Sequence, residues 1–197
     1  MKSALKKILN TLALLSVLPL ALCSGFGRIN AIYLFFAQSV ALIPGLPGDY
    51  LRTAYYVLTL QECSIESRIS FGSFLTKTSC RLGAKVYIGA YCVLGNCIIG
   101  ERTQIASDVQ ILSGRRQHRR NEQGQILGSH DGTFTPVRIG ADCWIGAGAI
   151  VMEDVGEGST VGAGAVVTRP IPPRVVAAGN PARVIKTSGT LPGPIAD

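Results

Sequence analysis

Aliphatic residues recur every six positions through the second half of the chain. Ile139, Ile145 and Val151 are six apart, and so are Val155, Val161 and Val167, most of them followed by Gly. The same beat runs through Leu82, Ile88 and Leu94, then through Ile99, Ile105 and Ile111 after a one-residue slip. The stretch Met152–Thr160 reads as an interruption between two such runs. An amphipathic helix repeats every 3.6 residues and a half-buried strand every two, so neither accounts for a period of six. A fixed period with an aliphatic at one phase and Gly at the next predicts a hexapeptide solenoid. Each hexapeptide would supply a short strand and a corner, with one residue in six pointing inward. Equivalent residues would stack about 4.8 Å apart, the ordinary strand spacing. Gly and Ala suit the corners because they add little bulk and Gly accepts unusual φ. A β-sandwich would instead show turns every 8–12 residues and polar alternation, and this segment shows neither.

The first 60 residues follow a different pattern. Ile8–Leu22 is almost wholly apolar and is preceded by Lys2, Lys6 and Lys7. After the link Gly25-Phe26-Gly27-Arg28-Ile29-Asn30, a second apolar stretch runs from Ala31 to Ile43 and ends at Pro44-Gly45-Leu46-Pro47-Gly48. A charged start and a short apolar centre resemble a secretory signal. However, Leu22 is too large to precede a lipoprotein-type Cys23, and another apolar stretch follows at once. Each stretch is shorter than the ~20 residues that span a bilayer. The pattern predicts two short helices, a hairpin dipping into one leaflet with its lysines at anionic headgroups. Tyr33, Tyr50, Tyr55 and Tyr56 would mark the interface. The competing expectation is an ordinary helical cap on the solenoid.

Three segments follow: an apolar helical, membrane-associating segment at 1–60; a repeat domain at 61–187 with a loop at 113–138; and a Gly/Pro/Ser/Thr tail at 188–197, expected to be flexible. Composition agrees with one domain plus an appendage in 197 residues, 47% of them hydrophobic. A net charge of +7 and a mean hydropathy of +0.32 favour an anionic partner, a membrane, or both. Six cysteines without a CxxC pair, and only two histidines, argue against structural zinc. Cys92, Cys97 and Cys143 lie within repeats and read as small buried thiols, reduced and cytosolic.

The repeat is suspended between Ile111 and Ile139, and that excursion contains both histidines, His118 and His130. A loop leaving a rigid scaffold is where function concentrates. Histidine suits general-base work because its ordinary pKa, about 6.5, lies near working pH. Arg115, Arg116, Arg119 and Arg120 surround His118 and would keep the imidazole neutral and ready to accept a proton. They could also grip phosphate or an acidic sugar.

The run WIGAGAIV…VGAGAVVTRPIPPRVVAAGNPARVIK, Trp144 to Lys186, resembles the hexapeptide-repeat acyltransferases, in particular the O-acetyltransferases of polysaccharide gene clusters. The resemblance covers roughly residues 65–187. It implies a mainly β chain folded as a left-handed parallel β-helix, a homotrimer with sites at subunit interfaces, and acetyl-CoA as donor with no metal. It also implies His118, in SGRRQH, as the general base, with His130 as a rival. Trp144 would lie beside the pantetheine arm, with Gly146, Ala147, Ala163 and Gly164 lining the CoA channel. Thr168 would contact the cofactor, and Arg183 and Lys186 would meet its phosphates. The sugar acetyltransferases place an Asn near the position of Tyr91-Cys92, where this chain has none; Asn96 is the nearest.

The resemblance and the apolar N-terminus together suggest an acyl-CoA-dependent O-acyltransferase on the cytoplasmic face of the inner membrane, monotopic or peripheral. Its acceptor would be a sugar hydroxyl of a surface polysaccharide or of its lipid-linked precursor, and no nucleic-acid partner is expected. Alternatives are an N-acyltransferase on an amino sugar, a longer-chain acyltransferase, or a non-catalytic membrane-tethered scaffold. A γ-type carbonic anhydrase on the same solenoid would need three histidine ligands, and two histidines are too few.

Overall fold

The computed structural model describes residues 2–114, 120–126 and 134–187. Three helices come first: α1 (Lys2–Cys23), α2 (Asn30–Ala41) and α3 (Gly45–Thr59). Short strands then wind in coils of three. They are β1 (Glu62–Cys63), β2 (Arg68–Ile69), β3 (Phe74–Leu75), β4 (Arg81–Leu82), β5 (Tyr87–Ile88), β6 (Val93–Leu94), β7 (Cys97–Ile99), β8 (Gln104–Ile105) and β9 (Gln110–Ile111). After the excursion come β10 (Val137–Ile139), β11 (Trp144–Ile145), β12 (Ile150–Val151), β13 (Thr160–Val161), β14 (Val166–Val167), β15 (Val175–Ala178) and β16 (Arg183–Thr187). Each strand pairs in parallel with its equivalent one coil away, which makes a prism with three faces. Face A is β1-β4-β7-β10, face B is β16-β15-β13-β11-β8-β5-β2, and face C is β14-β12-β9-β6-β3. Only β16 runs antiparallel, folding back on β15.

The six-residue beat is the inward column. Ile69, Leu75, Leu82, Ile88, Leu94, Ile99, Ile105, Ile111, Ile139, Ile145, Val151, Val155, Val161 and Val167 are all buried. The structure corrects three expectations about it. The beat starts earlier than expected, at Ile69 and Leu75. Met152–Thr160 does not interrupt it, because Val155 bridges both Ile139 below and Ile171 above. And two residues in six face inward rather than one. Two places before most of the aliphatics stands a second buried residue, a small one: Ser67, Ser73, Cys80, Thr103, Cys143, Ala149, Ser159 and Ala165 among them. The hydroxyls on this second row are satisfied by neighbouring coils, as where Ser73 Oγ donates to the Gly89 carbonyl at 2.5 Å and accepts from Cys92 N at 2.8 Å. Cys80, Cys92, Cys97 and Cys143 occupy the same row, and all six cysteines are unpaired.

Glycine serves two separate ends. The Gly after the aliphatic lies against the next coil: a Cβ on Gly146 would sit 2.4 Å from Ala163 N. Close stacking excludes a side chain there, so unusual φ is not the reason. The left-handed position comes three residues before most of the aliphatics, and side chains often fill it, as at Lys85 (φ 58°), Asp108 (φ 60°) and Asp142 (φ 55°).

The helices cap the first coil. Tyr33, Tyr55 and Tyr56 are fully buried, contrary to an interfacial role. Tyr33 Oη donates to the Leu75 carbonyl at 2.9 Å, and Tyr56 Oη accepts from Leu75 N at 3.0 Å. Tyr55 stacks on Tyr33 with ring centroids 6.0 Å apart. Tyr50, by contrast, is half-buried. The helix α3, unexpected from the Pro- and Gly-rich start of its sequence, carries the fastening residue, Arg52. Its guanidinium is fully buried and donates to the carbonyls of Ile69 (2.8 Å), Val40 (3.1 Å), Ala41 (3.3 Å) and Ile43 (2.7 Å), and to Asp49 Oδ1 (2.6 Å).

Two short helices were expected in the apolar stretches, yet α1 runs for 22 residues. Its segment Ala4–Cys23, of mean hydropathy 1.6, is by length and composition sufficient to cross a bilayer. It packs with its small side: Ala13, Val17 and Ala21, four apart, are buried. Leu5, Ile8, Leu12, Leu15 and Leu22 on the opposite side are 56–61% exposed.

Candidate active site

His118 and His130 lie outside the described residues, as do Arg115, Arg116 and Arg119. The roots of their loop are described, at Gly114 after β9 and at Phe134 before β10. The two limbs meet there: a Cβ on Gly114 would lie 2.3 Å from Thr135 Oγ1. Asn96 braces the returning limb, its Nδ2 donating to the Phe134 carbonyl at 3.1 Å while its Oδ1 accepts from Ser79 Oγ at 2.8 Å. Lys77 lies over the Phe134 ring, 4.6 Å from its centroid. Arg120 Nη1 donates to the Gly124 carbonyl at 2.6 Å across a tight turn, so its side chain helps shape the loop.

Trp144 begins β11 on face B, in register with Gln104 of β8 below and Thr160 of β13 above. Residues just before each inward aliphatic point outward, so Trp144 stands on the outer surface, 59% exposed. Thr160 pairs with Val176, and Val176 pairs with Lys186. Residues directly opposite share a face, so Lys186 and Trp144 lie on the same surface, three strand spacings or about 14 Å apart.

Gly146 and Ala147 turn the corner from face B to face C. Ala163 and Gly164 turn it one coil higher, with Gly164 N donating to the Ala147 carbonyl at 2.8 Å. These four residues, with Gly148 and Gly162, leave a strip of nearly bare backbone. Arg183 stands exposed at its upper end, pairing with Ala178, whose Cβ lies 3.0 Å from a Cβ built on Gly162. The fold therefore gathers Trp144, Gly146, Ala147, Ala163, Gly164, Arg183 and Lys186 along face B and its corner with face C. It leaves Thr168 apart, half-buried beyond the far end of β14, at the corner between faces C and A.

That distribution has a chemical consequence. The loop leaves from the corner between faces C and A, opposite face B in a three-sided prism. One copy thus presents an exposed indole, backbone and two cations on one side and the root of its histidine-bearing loop on another. Gln104 and Thr160, which flank Trp144, are missing from the expected site, although their position just before Ile105 and Val161 marks them as outward-facing on the same face.

The corner between faces A and B carries an ion network. Arg102 donates to both carboxylate oxygens of Asp142, at 2.7 Å each, and also contacts Glu101. Arg102 holds the Asp142 carboxyl below the usual carboxylate range. No group of three or more His, Cys, Asp or Glu side chains that could hold a metal ion occurs among the described residues.

Residues 136–169 match the family model described as bacterial transferase hexapeptide (six repeats). That segment carries the hexapeptide repeat. The galactoside O-acetyltransferase of Escherichia coli is 49% identical over 53 residues, 26% of this chain and 26% of that enzyme. Matches to the curated relatives span only about a quarter to a third of their lengths. Among solved structures, a hexapeptide-repeat acetyltransferase of Vibrio cholerae superposes with a TM-score of 0.67 at 20% identity, over 82% of this chain and 93% of that one. An N-acyltransferase of Bacillus cereus, solved with coenzyme A and an amino-sugar nucleotide, gives 0.52 at 22% identity over 63% and 71%. The hexapeptide solenoid is thus common to this chain and to both of these proteins.

Proposed function

We propose that this chain is an acyl-CoA-dependent O-acyltransferase with acetyl-CoA as donor. One observation carries the reading: a strip of bare backbone adjoining an exposed indole and ending at two cations. A pantetheine arm is long and narrow and fits beside Trp144 along Gly146, Ala147, Ala163 and Gly164. Its nucleotide phosphates need positive charge, which Arg183 and Lys186 supply. The acceptor is a sugar hydroxyl of a bacterial surface polysaccharide or of its lipid-linked precursor.

His118 takes the hydroxyl proton as the sugar oxygen attacks the thioester carbonyl. The tetrahedral oxyanion collapses, expels the CoA thiolate and leaves the sugar ester, and the imidazolium returns its proton to the sulfur. Because the loop springs from the side opposite face B, the base of one copy serves the donor surface of a neighbour, and a homotrimer closes three such sites. The outward aliphatics of α1 hold the enzyme on the cytoplasmic face of the inner membrane, near lipid-carried acceptors. A second reading, N-acylation of an amino sugar, is favoured by the likeness to the Bacillus cereus enzyme and uses the same base and donor surface.

The test is full-length protein with acetyl-CoA and a panel of lipid-linked sugars and amino sugars, read by mass spectrometry. An ester product is expected, with His118→Ala slowing its formation at least about 100-fold while His130→Ala leaves most of the rate. An amide product would support the second reading. Undiminished turnover by His118→Ala would defeat the mechanism, and no product with any acceptor would favour a scaffold.

A further inference from the structure

Two cavities adjoin where α1, α3 and the first coil meet, and their linings differ in kind. The first, about 260 Å³, brings the charged and amide side chains of Lys6, Asn10, Asp49, Glu66 and Arg68 into its wall. The second, about 360 Å³, is mostly apolar, with Leu9, Leu12, Ala13, Ser16, Pro47 and Leu51 in its wall. Leu46 and Tyr50 line both. A chamber with charged groups in its wall, adjoining an apolar groove, is shaped for an amphiphile.

The charge balance indicates the headgroup. Both Asp49 oxygens are already taken, by Arg52 at 2.6 Å and by Arg68 Nε at 2.7 Å. The Arg68 side chain stays 55% exposed, with its Nη groups left for another acceptor. Lys6 has no ion-pair partner among the described residues. With Arg52 counted, three cations stand against Asp49 and Glu66, so the cluster carries a net positive charge and a phosphate is the complementary group.

The groove opens onto a surface suited to lipid. Leu9 and Leu12 line it and also belong to the outward face of α1. No Asp, Glu, Lys or Arg occurs between Lys7 and Arg28. The hydroxyls there make no demand on water, since Thr11 Oγ1 donates to the Lys7 carbonyl at 3.0 Å and Ser16 Oγ to that of Leu12 at 2.9 Å.

We propose that this cleft binds one phosphate-headed lipid, its phosphate at Lys6 and Arg68 and its chain along Leu9, Leu12 and Leu46. The proposal rests on the membrane association argued above. It adds a specific lipid site at the helical end of face B, where Arg68 lies three strand pairings below Trp144.

Native mass spectrometry of the full-length protein released from detergent tests it, with dioleoyl-phosphatidylglycerol, dioleoylglycerol and glycerol phosphate as probes. Vesicle sedimentation is measured in parallel. One phosphatidylglycerol per protomer should be retained, with dioleoylglycerol held about tenfold less. The double variant Lys6→Ala/Arg68→Gln should lose about tenfold, and Ser16→Trp should lose the adduct, while both still sediment with vesicles and keep wild-type circular dichroism. Glycerol phosphate should not displace the lipid. Equal retention of dioleoylglycerol, an unaffected double variant, or full displacement by glycerol phosphate would each overturn the site. Wild type that holds the phosphatidylglycerol but fails to sediment would support the cleft while removing the membrane reading.

Discussion

Replacing Arg52 with Met should loosen the helical cap from the solenoid. The change keeps most of the side-chain volume and removes five hydrogen bonds: those to the carbonyls of Val40, Ala41, Ile43 and Ile69, and the one to Asp49. Breaking a buried ion pair by removing one partner costs about 3–5 kcal/mol. Asp49 keeps its bond to Arg68 at 2.7 Å, so the low end, about 3 kcal/mol, is expected. In a chain of this size each kcal/mol lowers Tm by about 2–4 °C, giving a drop of about 6–12 °C. The assay is thermal unfolding of the full-length protein in detergent, followed by circular dichroism. Arg52→Lys should fall between the two, because one ammonium cannot reach acceptors on α2, α3 and β2 together. Asp49→Asn/Arg52→Met should cost less than the sum of the two single changes, since the buried charge goes with its partner. A Tm for Arg52→Met within about 2 °C of wild type would refute the view that this guanidinium fastens the cap.

Gly146→Val should destabilise the upper coils by more than about 2 kcal/mol, because its Cβ would meet Ala163 N at 2.4 Å; Gly148→Ala, at an open left-handed corner, should cost only about 1 kcal/mol, and thermal melts separate the two. In the proposed donor site Arg183 and Lys186 meet phosphates far from the reacting carbonyl, so Arg183→Glu/Lys186→Glu should raise KM for the acyl-CoA about tenfold or more and leave kcat nearly unchanged; a fall in kcat alone would argue against that placement. Arg102 depresses the Asp142 pKa, so the stabilisation from this pair is present above the ordinary aspartate value near pH 4 and is lost as pH falls through the folded value. Arg102→Gln should therefore narrow its stability gap to wild type below about pH 4 in pH-dependent melts, and a gap that widens on acidification would contradict it.

What the residue order alone determined was whatever repeats. The beat from Leu82 to Val167 names the inward column, because each coil contacts only its neighbours and local period translates directly into register. The second inward row was also legible in principle, two places before most of the aliphatics. Its Cys92, Cys97 and Cys143 read as buried thiols, but its Ser and Thr conceal the row, since they look polar until neighbouring coils supply their hydrogen-bond partners. The tertiary structure alone decided what happens once and between distant segments. Tyr33, Tyr55 and Tyr56 read as interfacial, yet they close over the first coil, and nothing in the order of residues brings four carbonyls onto Arg52. The same holds for the separation of the loop root from face B, which depends on which corner of the prism each segment leaves. Such contacts join stretches 9 to 42 residues apart and occur only once, so no periodic signal records them. Packing geometry chose among arrangements that the apolar pattern leaves equal.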